Sequence, residues 1–209
     1  MGRDWLRQNS YEFAYIHQMA KTKKLAKVKV ESSKVVYRGP AFWVTTDHVV
    51  EPSGVRTRRD IVHHSGSVVI LVADDSRPEP KVLLERQYRH AAQQFLWELP
   101  AGRKEQGEDE LLAAKRELLE ETGYSATKWR RILRYFASPG FLAEPMSVFL
   151  AQGLKKGKAQ PEADEVISMR FFPLSRAVRM INNGTVRDAK TIASLLWLAQ
   201  ARTGQKARR

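Results

Sequence analysis

The sequence predicts an α/β fold preceded by a small antiparallel β-sheet. From Gly66 onward, short β-branched runs alternate with helical ones, the pattern of a layered α/β domain. Residues 34–64 hold only β-type runs, cut by Gly39-Pro40 and Pro52-Ser53-Gly54. A length of 209 residues suits one main core with a smaller appendage.

Residues 1–31 form a basic N-terminal segment. A short amphipathic helix is expected over Asp4 to Met19, with Trp5, Phe13, Ile16 and Met19 as its apolar positions, followed by the basic run Lys21 to Lys29. Residues 32–65 read as three short strands, KVVYRG, FWVTTDHVV and VRTRRDIVHH. Such a meander buries little by itself, so it is expected to lean on the main domain or on a second subunit, in a docking role.

The main domain is expected over 66–201. SVVILVA and KVLLERQYR are strands parted by ADDSRPEP, and FLWELPAG is a third. Glu108 to Glu121 reads as a helix ended by Gly123, a residue suited to the left-handed C-terminal position. Strands are expected around Trp129–Phe136, Ser147–Gln152 and Glu165–Phe172, and helices around Leu174–Ile181 and Asp188–Ala201. Residues 202–209 are a basic tail.

The net charge of +13 is concentrated at the ends, +5 over residues 1–30 and +4 over 201–209. Basic tails of this kind are ordinarily solvated, so nucleic acid is not the expected partner. The longest apolar run, Val68 to Ala73, is far shorter than the roughly 20 residues that span a bilayer, and the start of the chain carries no apolar leader. A cytoplasmic protein without membrane attachment is the expectation. With no cysteine, any metal must be held by oxygen or histidine ligands.

The densest chemistry lies between Gly102 and Tyr124. On a helix, Glu117, Glu120 and Glu121 share one face, while Leu111, Ala114 and Leu118 make a separate stripe that can meet the core. Three like charges crowd together there, which a cation would relieve. Mg²⁺ accepts carboxylate and carbonyl oxygens and bridges to substrate phosphates, so the cluster suggests a phosphate-handling metal site. The spacing is Gly102, five residues, Glu108, seven residues, then Arg116-Glu117-Leu118-Leu119-Glu120-Glu121-Thr122-Gly123-Tyr124. A chance match to its seven fixed identities in a chain of this length is on the order of one in a million.

The stretch resembles the Nudix box. The resemblance implies an α/β/α sandwich with a mixed sheet, and a pyrophosphohydrolase that cleaves nucleoside diphosphates linked to another moiety with a divalent metal, Mg²⁺ or Mn²⁺. It implies that Glu117 and Glu121 are metal ligands, that Glu120 is a ligand or a partner of metal-bound water, and that the carbonyl of Ala101 also binds metal. Arg116 would hold the acidic cluster, pairing with Glu108 or Glu120, and Gly102 and Gly123 would bracket the helix where a side chain would interfere.

The flanks resemble the ADP-ribose pyrophosphatase branch. LLERQYR and LWELPAGR run into the box, Ser138-Pro139-Gly140-Phe141 follows Tyr124, and Glu144 lies in SPGFLAEP. Glu144 is the expected base, because glutamates bound to metal are poor proton acceptors and a separate carboxylate must reach the attacking water. Arg89, after Gln87-Tyr88 at a strand end, is the expected diphosphate contact, since arginine gives planar bidentate contacts to anions. Arg59, Glu98, Arg103 and Ser138 complete the candidate substrate contacts. Trp43 and Trp97 are expected in a core or interface, and His63 and His64 point to opposite faces of a strand, with neither given a catalytic role.

The resemblance thus implies hydrolysis of ADP-ribose to AMP and ribose 5-phosphate by a homodimer. The alternatives are GDP-mannose or another nucleotide sugar as substrate and, from another class, a non-catalytic protein that senses ADP-ribose or binds RNA.

Overall fold

A computed structural model describes residues 27–158 and 168–206. The expected helix at Asp4–Met19 and the start of the strand expected at Glu165 lie outside the described residues. Strands run in chain order as β1 (Lys29–Arg38), β2 (Phe42–Val50), β3 (Arg56–His64), β4 (Ser67–Asp74), β5 (Lys81–Arg89), β6 (Gln94–Glu98) and β7 (Ala101–Arg103). Helix α1 (Glu110–Thr122) follows, then β8 (Tyr124–Phe136), β9 (Leu142–Ala143), β10 (Pro145–Lys156) and β11 (Ser168–Pro173), and last α2 (Leu174–Asn182) and α3 (Ala189–Lys206).

The chain divides into two compact units. The smaller holds residues 1–34 and 46–60, and its described strand segments are tied by polar side chains. Ser33 donates to Asp47 and Thr46 to Asp60, each at 2.6 Å, and Arg59 pairs with Glu51 at 2.6 Å.

The larger unit, residues 35–45 and 61–209, contains a mixed sheet in the order β11-β5-β4-β10-β8, with β6 beside β5 and β7 beside β4. Its centre is the parallel pair β4–β10, with Val69 opposite Val148 and Leu71 opposite Leu150. Parallel strands buried on both faces need continuous apolar sequence, and Val68 to Val72 supply it at 0% exposure. Alternation along β4 then divides the core into two layers. Val69, Leu71 and Ala73 belong to one cluster with Leu174, Ala177 and Met180 of α2 and Leu195 and Leu198 of α3. Val68, Ile70 and Val72 belong to the other, with Ala113, Ala114 and Leu118 of α1. A sheet covered by α1 on one face and by α2 and α3 on the other is an α/β/α sandwich. Each fully buried aliphatic side chain of β4 stabilises it by about 1.5–3 kcal/mol, so a charge at Ile70 would disrupt the whole domain.

Several boundaries differ from the sequence expectation for local reasons. Helix α1 begins at Glu110, because the Asp109 carboxylate accepts from the N–H groups of Leu111 (2.9 Å) and Leu112 (3.1 Å) and caps it. Glu108 stays outside the helix, accepting from the N–H of Glu105. At the other end Gly123 takes φ +70° and its N–H bonds Leu119 O at 2.9 Å. The chain turns there directly into β8, so that strand starts at Tyr124, not Trp129. Likewise β10 runs to Lys156 along β8, well past Gln152. Among the described residues, no helix is long and apolar enough to cross a membrane.

Candidate functional site

The edge of β4 is shared between two neighbours. Its C-terminal end pairs with β5, and its first residues pair with β7, Ser67 opposite Arg103 and Val69 opposite Ala101. This sets Ala101-Gly102-Arg103 in front of the acidic face of α1, which the opposite stripe holds in register by burying Ala114 and Leu118. The resulting cavity, of about 250 Å³, is lined by Ala101, Gly102, Arg103, Glu105, Arg116, Glu117, Glu120 and Glu121.

Arg116 organises this cavity. Its Nε and Nη2 donate to both oxygens of Glu108 at 3.0 Å, its Nη1 to Glu117 (2.8 Å) and Glu120 (3.0 Å), and its Nη2 also to the carbonyl of Arg103 (3.2 Å). The pairing with Glu108 and the nearby acids raises the pKa of Arg116 further and holds the Glu108 carboxyl below its ordinary range. Both partners expected for Arg116, Glu108 and Glu120, are therefore engaged. Glu121 is only 4% exposed and accepts from the N–H of Ala101 at 3.1 Å.

Among the described residues, no three acidic or imidazole groups stand close enough to form a metal cluster as they are placed, since Glu117 and Glu120 are both turned onto Arg116. The donor set nevertheless fits a hard divalent ion. Four glutamates, three of them on α1, line one cavity with the strand residue Ala101, and the Glu117 carboxylate takes the place that a β-carbon on Gly102 would fill.

A second cavity, of about 390 Å³, shares the wall Ala101-Gly102-Arg103 and carries the other chemistry. Arg89 and Glu144 both line it, as do Lys190, Asp188, Tyr135, Ser67 and His64. Glu144 leads into β10, and its Oε1 accepts from Ser67 Oγ at 2.5 Å, with His64 Nδ1 3.5 Å away. His64 Nδ1 itself accepts from the N–H of Gly66 at 3.1 Å. His63 points to the other face, where it stacks on Trp43 and bonds the Thr45 hydroxyl at 2.9 Å. The alternation expected for the two histidines holds.

Glu98, expected as a substrate contact, is 1% exposed and lies beneath Arg89. Its two oxygens accept from Arg89 Nε and Nη2, each at 2.9 Å, and one also accepts from Lys190 Nζ. Lys190 pairs in turn with Asp188 at 3.0 Å. Burial works to raise the pKa of Glu98, but the bonds from Arg89 and the Lys190 charge outweigh it and keep the carboxylate ionised. The same bond raises the pKa of Arg89. Glu98 therefore fixes one edge of the Arg89 fork, leaving Nη1 for a ligand.

Arg103 lines both cavities and donates from Nη1 to the carbonyl of Pro40 at 2.7 Å. Ser138 sits in a turn, its carbonyl accepting from Leu142 N at 3.0 Å, and its neighbour Ala137 lines the cavity instead. Arg59 belongs to the smaller unit, paired with Glu51. Trp97 packs edge-on against Phe172 at the border of the core.

The sequence reading missed Lys190, Asp188, Tyr135 and Ser67. Asp188 carries a local signal, since it stands just before a helical run and accepts from Thr191 N at 3.0 Å as a cap. Burial, and then the charges of Asp188 and Glu144, push the Tyr135 phenol up to about 12, so it stays protonated at neutral pH.

Known proteins resemble this chain in sequence and in fold. The NUDIX domain model matches residues 62–195. An ADP-ribose pyrophosphatase of Bacillus subtilis (strain 168) is 35% identical over 172 residues, covering 81% of this chain and 91% of its own. A GDP-mannose pyrophosphatase of Salmonella paratyphi B (strain ATCC BAA-1250 / SPB7) is 31% identical over 153 residues, covering 69% and 78%. A solved ADP compounds hydrolase superposes with a TM-score of 0.76 at 20% identity, covering 88% of this chain and 98% of its own, a likeness of fold.

Proposed function

We propose, since this chain belongs to the NUDIX family and is a pyrophosphohydrolase of that family, that its substrate is a nucleoside diphosphate sugar, ADP-ribose before GDP-mannose. The observation that carries this reading is the shared wall: Ala101, Gly102 and Arg103 border both the acidic cavity and the cavity of Arg89, Lys190 and Glu144. A diphosphate lying across that wall has carboxylates on one side and guanidinium and ammonium groups on the other.

In this reading Glu117, Glu120, Glu121 and the Ala101 carbonyl hold Mg²⁺. When bound, the ion supplies charge neutralisation at the phosphate oxygens. Arg89 orients the diphosphate through the edge that Glu98 leaves open. Water attacks one phosphorus, the bond from that phosphorus to the bridging oxygen breaks, and the departing phosphate keeps that oxygen. Glu144 accepts the proton of the water and releases it to solvent. The products are AMP and ribose 5-phosphate. The working form is a cytoplasmic homodimer acting on small molecules.

Hydrolysis of a panel of ADP-ribose, GDP-mannose, diadenosine polyphosphates and dNTPs, with and without Mg²⁺, tests the reading. ADP-ribose should give the highest kcat/KM, and equal turnover of all four, or none, would refute it. GDP-mannose in first place would establish the alternative.

A further inference from the structure

Away from both cavities, three arginines converge on a groove of about 370 Å³ lined by Trp97, Arg170, Phe172, Arg176, Arg179, Met180, Asn183 and Thr185. Among the described residues, no acidic side chain lines it. Arg170 comes from β11, while Arg176 and Arg179 stand three apart on α2 and so share one face of that helix. The guanidinium carbons of Arg170 and Arg176 lie 5.6 and 5.5 Å from the centroid of the same ring, Phe172, which is buried and braced edge-on by Trp97. Two cations are thus held on one aromatic ring, and among the described residues none of the three arginines forms an ion pair. Asn183 Oδ1 accepts from Thr185 N at 3.1 Å, which leaves the Asn183 amide N–H₂ as a further donor.

We propose that this groove is a second anion site, which binds a small phosphorylated molecule through Arg170, Arg176 and Arg179. Guanidinium groups match phosphate oxygens in charge and in planar geometry. The volume falls in the range of small-molecule pockets and is too small for a nucleic-acid track, which needs a groove extended over several nucleotides. Mutual repulsion of three cations is relieved when a dianion enters.

The test is calorimetric titration of the full-length protein with inorganic pyrophosphate and, separately, with AMP, in EDTA so that no divalent ion takes part. R176Q/R179Q is compared with wild type and with R89Q, which reports the catalytic cavity. The expected result is that R176Q/R179Q loses more than about tenfold in affinity for at least one of the two ligands, while R89Q keeps that binding event. R176K/R179K should retain part of it. Hydrolysis of ADP-ribose and the melting temperature should change little in R176Q/R179Q. Equal binding by wild type and R176Q/R179Q would overturn the proposal. So would a large gain in affinity on neutralising Glu162, Asp164 and Glu165, which precede β11 in the chain, because the arginines would then serve the protein's own acids. Pyrophosphate binding without AMP binding identifies the ligand as a free polyphosphate; binding of both identifies a phosphate ester.

Discussion

A β-carbon on Gly102 would stand 1.9 Å from Cδ of Glu117, so the carboxylate reaches the backbone of β7 only because residue 102 has no side chain. Gly102 is not among the glycines with positive φ, so alanine fits the backbone there and the clash is with the end of a flexible side chain. G102A should therefore fold with nearly unchanged melting temperature while its kcat falls by roughly tenfold or more, as expected when a metal-holding group is displaced. A variant with wild-type kcat would show that the position of Glu117 does not matter.

Glu121 is buried against Ala101, between the helix and the strand that brackets it. E121Q should lower kcat by roughly a hundredfold at saturating Mg²⁺, the scale set by loss of a group that stabilises developing charge. Thermal melting separates this from misfolding. Hydrolysis within a few fold of wild type would exclude a metal-holding role.

Glu144 is held by Ser67 at 2.5 Å, outside the acidic cavity. E144Q should slow turnover by about 10²–10⁴-fold, the usual contribution of a general base, with Mg²⁺ affinity maintained in direct titration. Turnover close to wild type would mean that another group takes the proton.

The pairing of Arg89 with the buried Glu98 gives a pH dependence with a definite sign. Glu98 has a lower pKa folded than unfolded, where a glutamate titrates near about 4.3. Its contribution to stability is present above that value and is lost as pH falls through the folded pKa. Urea melts from pH 6 downward should show stability declining below about pH 4, and E98Q should flatten that slope while lowering stability at neutral pH, because Arg89 and Lys190 lose their partner. An unchanged slope in E98Q would rule Glu98 out as the titrating group.

Asp109 caps α1 without lining either cavity. D109A should cost about 1 kcal/mol of stability and leave KM unchanged in steady-state assays. A rise in KM would show that the cap also sets the position of the acidic face.

The sequence alone determined what is local. Helix α1, its carboxylate face and its terminating Gly123 follow from spacings within one turn or two, and the β-branched and aliphatic run at 67–73 predicted a strand. The spacing of the box also set the family, since seven identities at fixed separations leave little room for chance. Only the tertiary structure decided what Arg89 and Glu144 touch. Lys190 meets Glu98 across 92 residues and Ser67 meets Glu144 across 77. These meetings depend on β10 lying parallel to β4 and on α3 packing against the same face of the sheet, and both result from burying apolar area shared by the whole domain. A carboxylate's place in a linear pattern therefore tells whether it can face a cleft. Which cation stands opposite it depends on how the strands are ordered.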